Sequence, residues 1–430
     1  MKNIRRTFLL LIIFSAIGYL EYALRAFFGG IVIDYSYNRY DIVVSPVGVI
    51  LRFGKELMVI LLVIQILYYL YRNRSIMKLK SIRSIPYILV VLFIVLEGIV
   101  SGRVSCNSSI MLFVSGMRGI VYLSIGVIIA LEFNSKEFYL KVCKTLDYIF
   151  IFQFVLIILQ AIQLAMQFGV NLLVEMRVCG TFGHTVNLAA FLLAYSLNNF
   201  IMSYILKARS EKKGVLINVL CSISIIISGS RTAMIISAIL ILVMIFISVT
   251  KKYDKYYNKI DLGSLVFIAA VFSLLVKGIE ILSGRGSILQ VNMESGRIKI
   301  LIDYLTKSPI GNVLFGSGIG YGTNTGVLLQ ETETFSSINA DIMDGTITTF
   351  ITQFGVVTLI FVFIAFILFI KWFINNNYKF RVITWALMVI FIGLMMLNGN
   401  ILEQYSFIII LVYSIISIKI IYEESKINDN

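Results

Sequence analysis

Twelve apolar runs, most of them about as long as a membrane-crossing helix, limit what this chain can fold into. They occupy 7–24, 51–71, 85–99, 110–131, 147–168, 185–206, 215–228, 232–250, 262–281, 346–370, 382–397 and 406–422. A hydrocarbon core about 30 Å thick takes about 20 apolar residues per helix. Inside it every backbone polar group must be bonded within the protein, which a helix does by itself. The runs are too long for barrel strands. Composition agrees: 59% of the 430 residues are hydrophobic, 14% are charged, three are proline, and the mean hydropathy is +0.93. A soluble domain would carry about 25% charged residues. The expectation is an all-α polytopic membrane protein with about twelve transmembrane helices, forming a single membrane domain over 1–430.

The net charge of +14 is explained by orientation. Lys2, Arg5 and Arg6 place the N-terminus in the cytoplasm, and alternation of the runs then assigns every loop. Most of the 37 basic residues fall on the cytoplasmic side under that assignment, as the positive-inside bias predicts, and both termini lie there. No nucleic-acid partner is needed to account for the charge. Glu21-Tyr22-Ala23-Leu24-Arg25 makes a poor signal-peptide cleavage region, so the first run is expected to persist as a helix.

Four cysteines do not make a disulfide framework. Cys106 and Cys179 fall in outward loops where a bridge could form, although free buried thiols are the expectation. The only histidine is His184, which excludes metal sites built from several His and Cys/His clusters of zinc spacing. No phosphate loop of the ATPase type occurs.

The outward side carries the unusual features. A large loop covers 282–345, between the ninth and tenth runs. Within it, the spacing of Ile298, Leu301, Ile302 and Leu305 predicts a short amphipathic helix over 297–307, ended by Ser308-Pro309. Lys299, Asp303, Thr306 and Lys307 share its polar side, while Arg297 falls with Ile300, Leu301 and Tyr304. That register either aims Arg297 into the protein or lets it snorkel to water. A glycine-rich stretch follows, Leu314-Phe315-Gly316-Ser317-Gly318-Ile319-Gly320-Tyr321-Gly322. Its backbone N–H groups could cradle an anion, or it could be a plain turn.

Other charges lie close to the apolar runs. Ser228-Gly229-Ser230-Arg231-Thr232 is a tight turn before a helix, where free N–H groups beside a guanidinium favour an anion. Arg118 lies eight residues inside the fourth run, about 12 Å along a helix. It is either a functional charge or the ion-pair partner of Glu97 in the third run. Arg177 precedes the sixth run. Gln153, Gln160, Gln163 and Gln167 share one helical face, which lines a cavity or bonds to neighbouring helices. Asp344 sits where the large loop re-enters the membrane, either as a partly desolvated base or as a solvated acid near a helix N-terminus.

Taken in order, these segments resemble the O-antigen polymerase and O-antigen ligase superfamily of bacterial polysaccharide assembly. The resemblance rests on Arg177-Val178-Cys179-Gly180-Thr181-Phe182-Gly183-His184-Thr185-Val186-Asn187, on the Ser230-Arg231-Thr232 turn, and on Ser295-Gly296-Arg297 followed by Leu314-Phe315-Gly316-Ser317-Gly318. It implies a fold like the membrane glycosyltransferases of the C type, in the bacterial cytoplasmic membrane. It also implies metal-independent transfer on the outer face, with no cofactor, from a saccharide carried on undecaprenyl pyrophosphate. Membrane lipids, a flippase and a chain-length regulator are the partners it implies. Arg231 and Arg297 would stabilise the leaving pyrophosphate and Asp344 would take the acceptor proton. Arg118, Arg177, Arg285 and the backbone at Gly316, Gly318 and Gly320 would bind substrate. Ligases of the superfamily carry a histidine-asparagine pair eleven residues before a glycine. Counting back from Gly355, those places hold Asp344 and Gly345 here, which favours a polymerase over a ligase. A lipid-linked oligosaccharide flippase is the alternative from another class. Such carriers often have related halves, and none is visible in this sequence.

Overall fold

The computed structural model describes residues 1–28, 45–72, 91–101, 110–168, 178–250, 297–323, 345–374 and 405–428. Among the described residues the secondary structure is helical and contains no strand. Five helical stretches among the described residues are long and apolar enough to cross a membrane: Lys2–Leu24, Leu112–Glu132, Lys136–Met166, Thr185–Tyr204 and Thr346–Ala365. The chain therefore has the character of a membrane protein. The runs at 262–281 and 382–397 lie outside the described residues, as does most of the 282–345 loop.

The chain divides into two compact units. The first comprises Met1–Met77, Ile125–Arg285 and Ile409–Asn430; the second comprises Lys78–Ser124 and Gly286–Ile408.

The first unit begins with α1 (Lys2–Ile17) and α2 (Leu20–Phe28), followed by α3 (Pro46–Arg72). α1 packs on α3 so closely that a Cβ at Gly54 would stand 2.5 Å from the Phe14 ring. α6 (Lys136–Phe168) starts well before the apolar run at 147, because hydropathy marks only the stretch suited to lipid while the hydrogen-bonded helix continues past it. α7 (Thr185–Phe200) is the centre of the unit. Its span is 89% buried, with α6, α8 (Glu211–Ile227) and α9 (Arg231–Thr250) packed around it. The enclosure suits its polar side chains: Asn198 accepts from Tyr139 OH at 2.6 Å and Asn199 donates to Gly214 O at 2.7 Å, bonds that lipid could not supply. α7 runs into a single π turn at Ile201–Ile205. α13 (Tyr405–Asn428) completes the core from Ile409 onward, with the Tyr413 ring 5.0 Å from that of Phe8.

The second unit contains α4 (Val91–Ser101), most of α5 (Ile110–Glu132), α10 (Arg297–Lys307), α11 (Ile310–Phe315) and α12 (Thr346–Ile374). α10 has the bounds its periodicity predicts. The face that packs is that of Ile300, Leu301 and Tyr304, which meet Tyr321 and Ile351, whereas Ile302 and Leu305 are exposed. The expected apolar stripe is thus rotated toward Tyr304. Its hydroxyl lies 3.0 Å from both Asn312 O and Ser317 Oγ, bonds that place this face against the protein. Asp303 and Lys307 form an exposed ion pair at 2.9 Å on the opposite side.

Candidate functional site

α12 is two helices joined at Gly355, which has φ 75° and ψ 172°. Breaking a helix frees backbone carbonyls that must be bonded elsewhere when they are buried. Ser317 N–H donates to Thr352 O at 2.7 Å and Gly318 N–H donates to Gln353 O at 3.1 Å. The glycine-rich segment therefore supplies the donors that the broken helix lacks. Gly316 has nearly the same unusual conformation as Gly355, φ 81° and ψ 173°, and each glycine faces the backbone of the two residues before the other. Further along, Ile319 packs against Gly98 of α4, and Gly320 lies against Gly116 of α5.

The residues from Gly316 to Thr323 are all buried. Gly316 N–H donates to Asn312 O at 2.8 Å and Tyr321 N–H to Gly318 O at 3.2 Å. These amides are committed to protein carbonyls, so at Gly316 and Gly318 the expected anion cradle gives way to close backbone packing. Local sequence showed that glycine was needed, but not what it would approach.

Beside this junction is a groove of about 300 Å³ lined by Phe93, Leu96, Glu97, Val100, Ser101 and Phe315. Phe93, Leu96, Val100 and Phe315 are exposed, so its rim is apolar. Its polar part is Glu97 and Ser101, one helical turn apart on α4. Ser101 Oγ lies 3.0 Å from Glu97 Oε1, 2.9 Å from Glu97 O and 2.7 Å from Phe315 O. Glu97 Oε2 is buried and without a hydrogen-bond partner among the described residues. The Thr358 hydroxyl, 1% exposed, stands beside the carboxyl. Glu97 was foreseen only as a partner for Arg118, and no ion pair joins the two. The signal for its actual setting was a carboxylate inside an apolar run with serine four residues later, a spacing that brings the two together on one helix face.

The other sequence-predicted residues are distributed as follows. Arg118 is partly exposed on α5, two residues beyond the Gly116–Gly320 contact. Arg297 is the first residue of α10, in the second unit. Arg231 opens α9 in the first unit, directly after the turn at Ser228–Ser230, where Gly229 has φ 69°. Arg177, Arg285 and Asp344 lie outside the described residues.

The segment from Val178 to Phe182 folds as a buried plug in the first unit, with His184 exposed at its end. The Gln153 amide donates to Ala16 O at 3.2 Å and to Thr181 Oγ1, and its oxygen accepts from Thr181 N–H at 3.2 Å. Gln160 accepts from Gly180 N–H at 3.0 Å and donates to Gly180 O at 3.3 Å. Of the two readings of the glutamine face, Gln153 and Gln160 take the structural one: they hold a loop in place. His184 caps α7, its Nδ1 accepting from Val186 N–H at 3.2 Å. Cys179 is a free, buried thiol, and burial pushes it up to about 12.

A second polar cluster in the first unit is structural. Arg209, after the π turn, donates to Asp147 and Asn199, and Tyr195 OH donates to Asp147 at 2.6 Å. Asn199 continues the network to Gly214 O at 2.7 Å and to Asn218 at 2.8 Å. Burial works against the Arg209 charge, but the Asp147 carboxylate outweighs it and holds the guanidinium above its ordinary value.

No protein-family model matches the chain, and none of the curated proteins matches it.

Proposed function

We propose that the chain is a bacterial membrane glycosyltransferase that joins saccharide repeat units carried on polyprenyl pyrophosphate, a polysaccharide polymerase of twelve spans working on the outer face of the cytoplasmic membrane. The observation that carries this reading is the junction in the second unit. A glycine-rich segment from the large loop is built into a broken apolar helix, beside a groove whose apolar rim surrounds a carboxyl group. Non-helical backbone in an apolar unit occurs where it is buried in protein or lines a cavity, and a substrate with a lipid tail and a polar head needs both surfaces together.

In this mechanism an acceptor-sugar hydroxyl attacks the anomeric carbon of the lipid-linked donor, and polyprenyl pyrophosphate leaves. Arg231 and Arg297, with Arg118, Arg177 and Arg285, would hold the pyrophosphate and stabilise its growing charge. Fixed cations aimed at developing charge lower a barrier by several kcal/mol. Arginine suits the task because its fork bonds two phosphate oxygens at once. The test is incubation of purified protein with a synthetic polyprenyl-pyrophosphate repeat unit in the presence of a chelator. A ladder of longer products is expected, and absence of transfer would refute the reading. Arg297→Lys should be nearly as damaging as Arg297→Ala, and wild-type chain length in cells carrying Arg297→Lys would count against its role. Cells lacking the protein should carry single repeat units on the surface. Free lipid-linked polymer would indicate a ligase, and repeats trapped inside would indicate a flippase.

A further inference from the structure

We infer that Glu97 is the proton acceptor of this transfer, and that the groove beside it receives the lipid-linked acceptor saccharide. The inference rests on the polymerase reading and adds the residue that performs the proton step. In that step the acceptor hydroxyl oxygen forms a bond to the donor anomeric carbon. Its proton passes to the Glu97 carboxylate, which lines the groove. The bond between the anomeric carbon and the pyrophosphate oxygen breaks, and its electron pair leaves with polyprenyl pyrophosphate.

Three observations support the assignment. First, the carboxyl is not consumed by structure. Neutral hydroxyls, those of Ser101 and Thr358, stand beside it, and Arg118 does not pair with the group. A buried charge retained for stability alone would be expected to have its partner, since leaving one unpaired is costly. Second, the carboxylate is oriented. Ser101 Oγ lies 3.0 Å from Oε1 and is itself held 2.7 Å from Phe315 O, an arrangement of base and orienting group that fixes the carboxylate against the groove. Ser101 has one hydrogen and three oxygens within reach, so it can donate to the carboxylate before transfer and to a backbone carbonyl after it. Third, the groove is open and apolar at Phe93, Leu96, Val100 and Phe315. An isoprenoid chain fits such a rim, and its attached sugar would be presented to Glu97.

The experiment is the steady-state kinetics of Glu97→Gln on the synthetic polyprenyl-pyrophosphate repeat unit. Glutamine keeps the size of the side chain and an oxygen for Ser101, but it cannot take a proton. Removal of a general base lowers rates by about 10²–10⁴-fold. The expected result is a kcat at least about 100-fold down with KM changed by less than about threefold, and partial activity in Glu97→Asp. In parallel, wild-type protein is treated with a hydrophobic carbodiimide and the Glu97 peptide is followed by mass spectrometry. The repeat-unit substrate should protect Glu97 from modification. Wild-type kcat in Glu97→Gln, a loss confined to KM, or unchanged labelling with substrate would each overturn the assignment. So would a kcat loss in Asp344→Asn that Glu97→Gln does not share. Failure of wild-type protein to extend the substrate would instead remove the polymerase reading itself.

Discussion

Gly355→Ala should be among the most damaging methyl additions in the protein. Gly355 has φ 75° and ψ 172°, a region that residues with a Cβ rarely enter. Holding alanine there costs about 1–3 kcal/mol. The new methyl would also stand 2.5 Å from Phe315 N, with the Leu314 carbonyl nearer still, and these are backbone atoms that no rotamer change can move. Overpacking of this kind adds about 1–3 kcal/mol. Separation of the two strands of backbone would weaken the bonds from Ser317 and Gly318 to Thr352 and Gln353, about 1 kcal/mol each. The sum is on the order of 4–8 kcal/mol, a large part of the stability of an ordinary fold. Gly311→Ala is the control, because nothing lies within 4 Å of its added Cβ, and it should be neutral or stabilising by about 0.5–1 kcal/mol. Gly316→Ala should resemble Gly355→Ala, since its methyl would meet Phe354 N at 2.5 Å. The double variant should lose less than the sum, because one separation relieves both clashes. The assay is thermal unfolding of the detergent-solubilised protein, followed by the fraction that stays monodisperse on size exclusion. A Gly355→Ala midpoint equal to wild type, or no lower than that of Gly311→Ala, would refute the argument.

Arg209→Ala should destabilise the first unit by roughly 2 kcal/mol, less than a fully buried pair because Asp147 keeps 30% exposure. Arg209→Lys should recover little of it, since one ammonium does not reproduce the fork to Asp147 and Asn199; full recovery in the melt would contradict this. Gln153→Leu should cost about 2–3 kcal/mol, leaving the Thr181 N–H without its acceptor, and the same melt measures it. Cys179 offers a pH-dependent readout. Its folded value of about 12 lies above the ordinary value of about 8.5. Its contribution to stability is therefore whole below about pH 8.5 and is lost as pH rises toward 12. Iodoacetamide at pH 8.5 should leave the Cys179 peptide unmodified in folded protein and modify it after denaturation; rapid labelling of the folded state would show that the thiol is accessible.

The helices were legible in the sequence wherever the cause was local. Arg297–Lys307 has the predicted bounds because a 3.6-residue periodicity and Ser308-Pro309 define a helix without outside help. The turn before Arg231 and the start of α12 at Thr346 were legible for the same reason. The site was only partly so. Gly316 and Gly355 are 39 positions apart, and neither shows in sequence that it is the other's backbone neighbour. Ser101 and Phe315 are 214 positions apart, and their bond fixes the hydroxyl that orients Glu97, which sequence offered only as a candidate ion-pair partner. Hydropathy and periodicity determine which segments leave water and in what secondary structure, because those choices depend on each segment's own side chains. Which buried polar group meets which depends on distant segments sharing one small volume, and only the tertiary fold decides that.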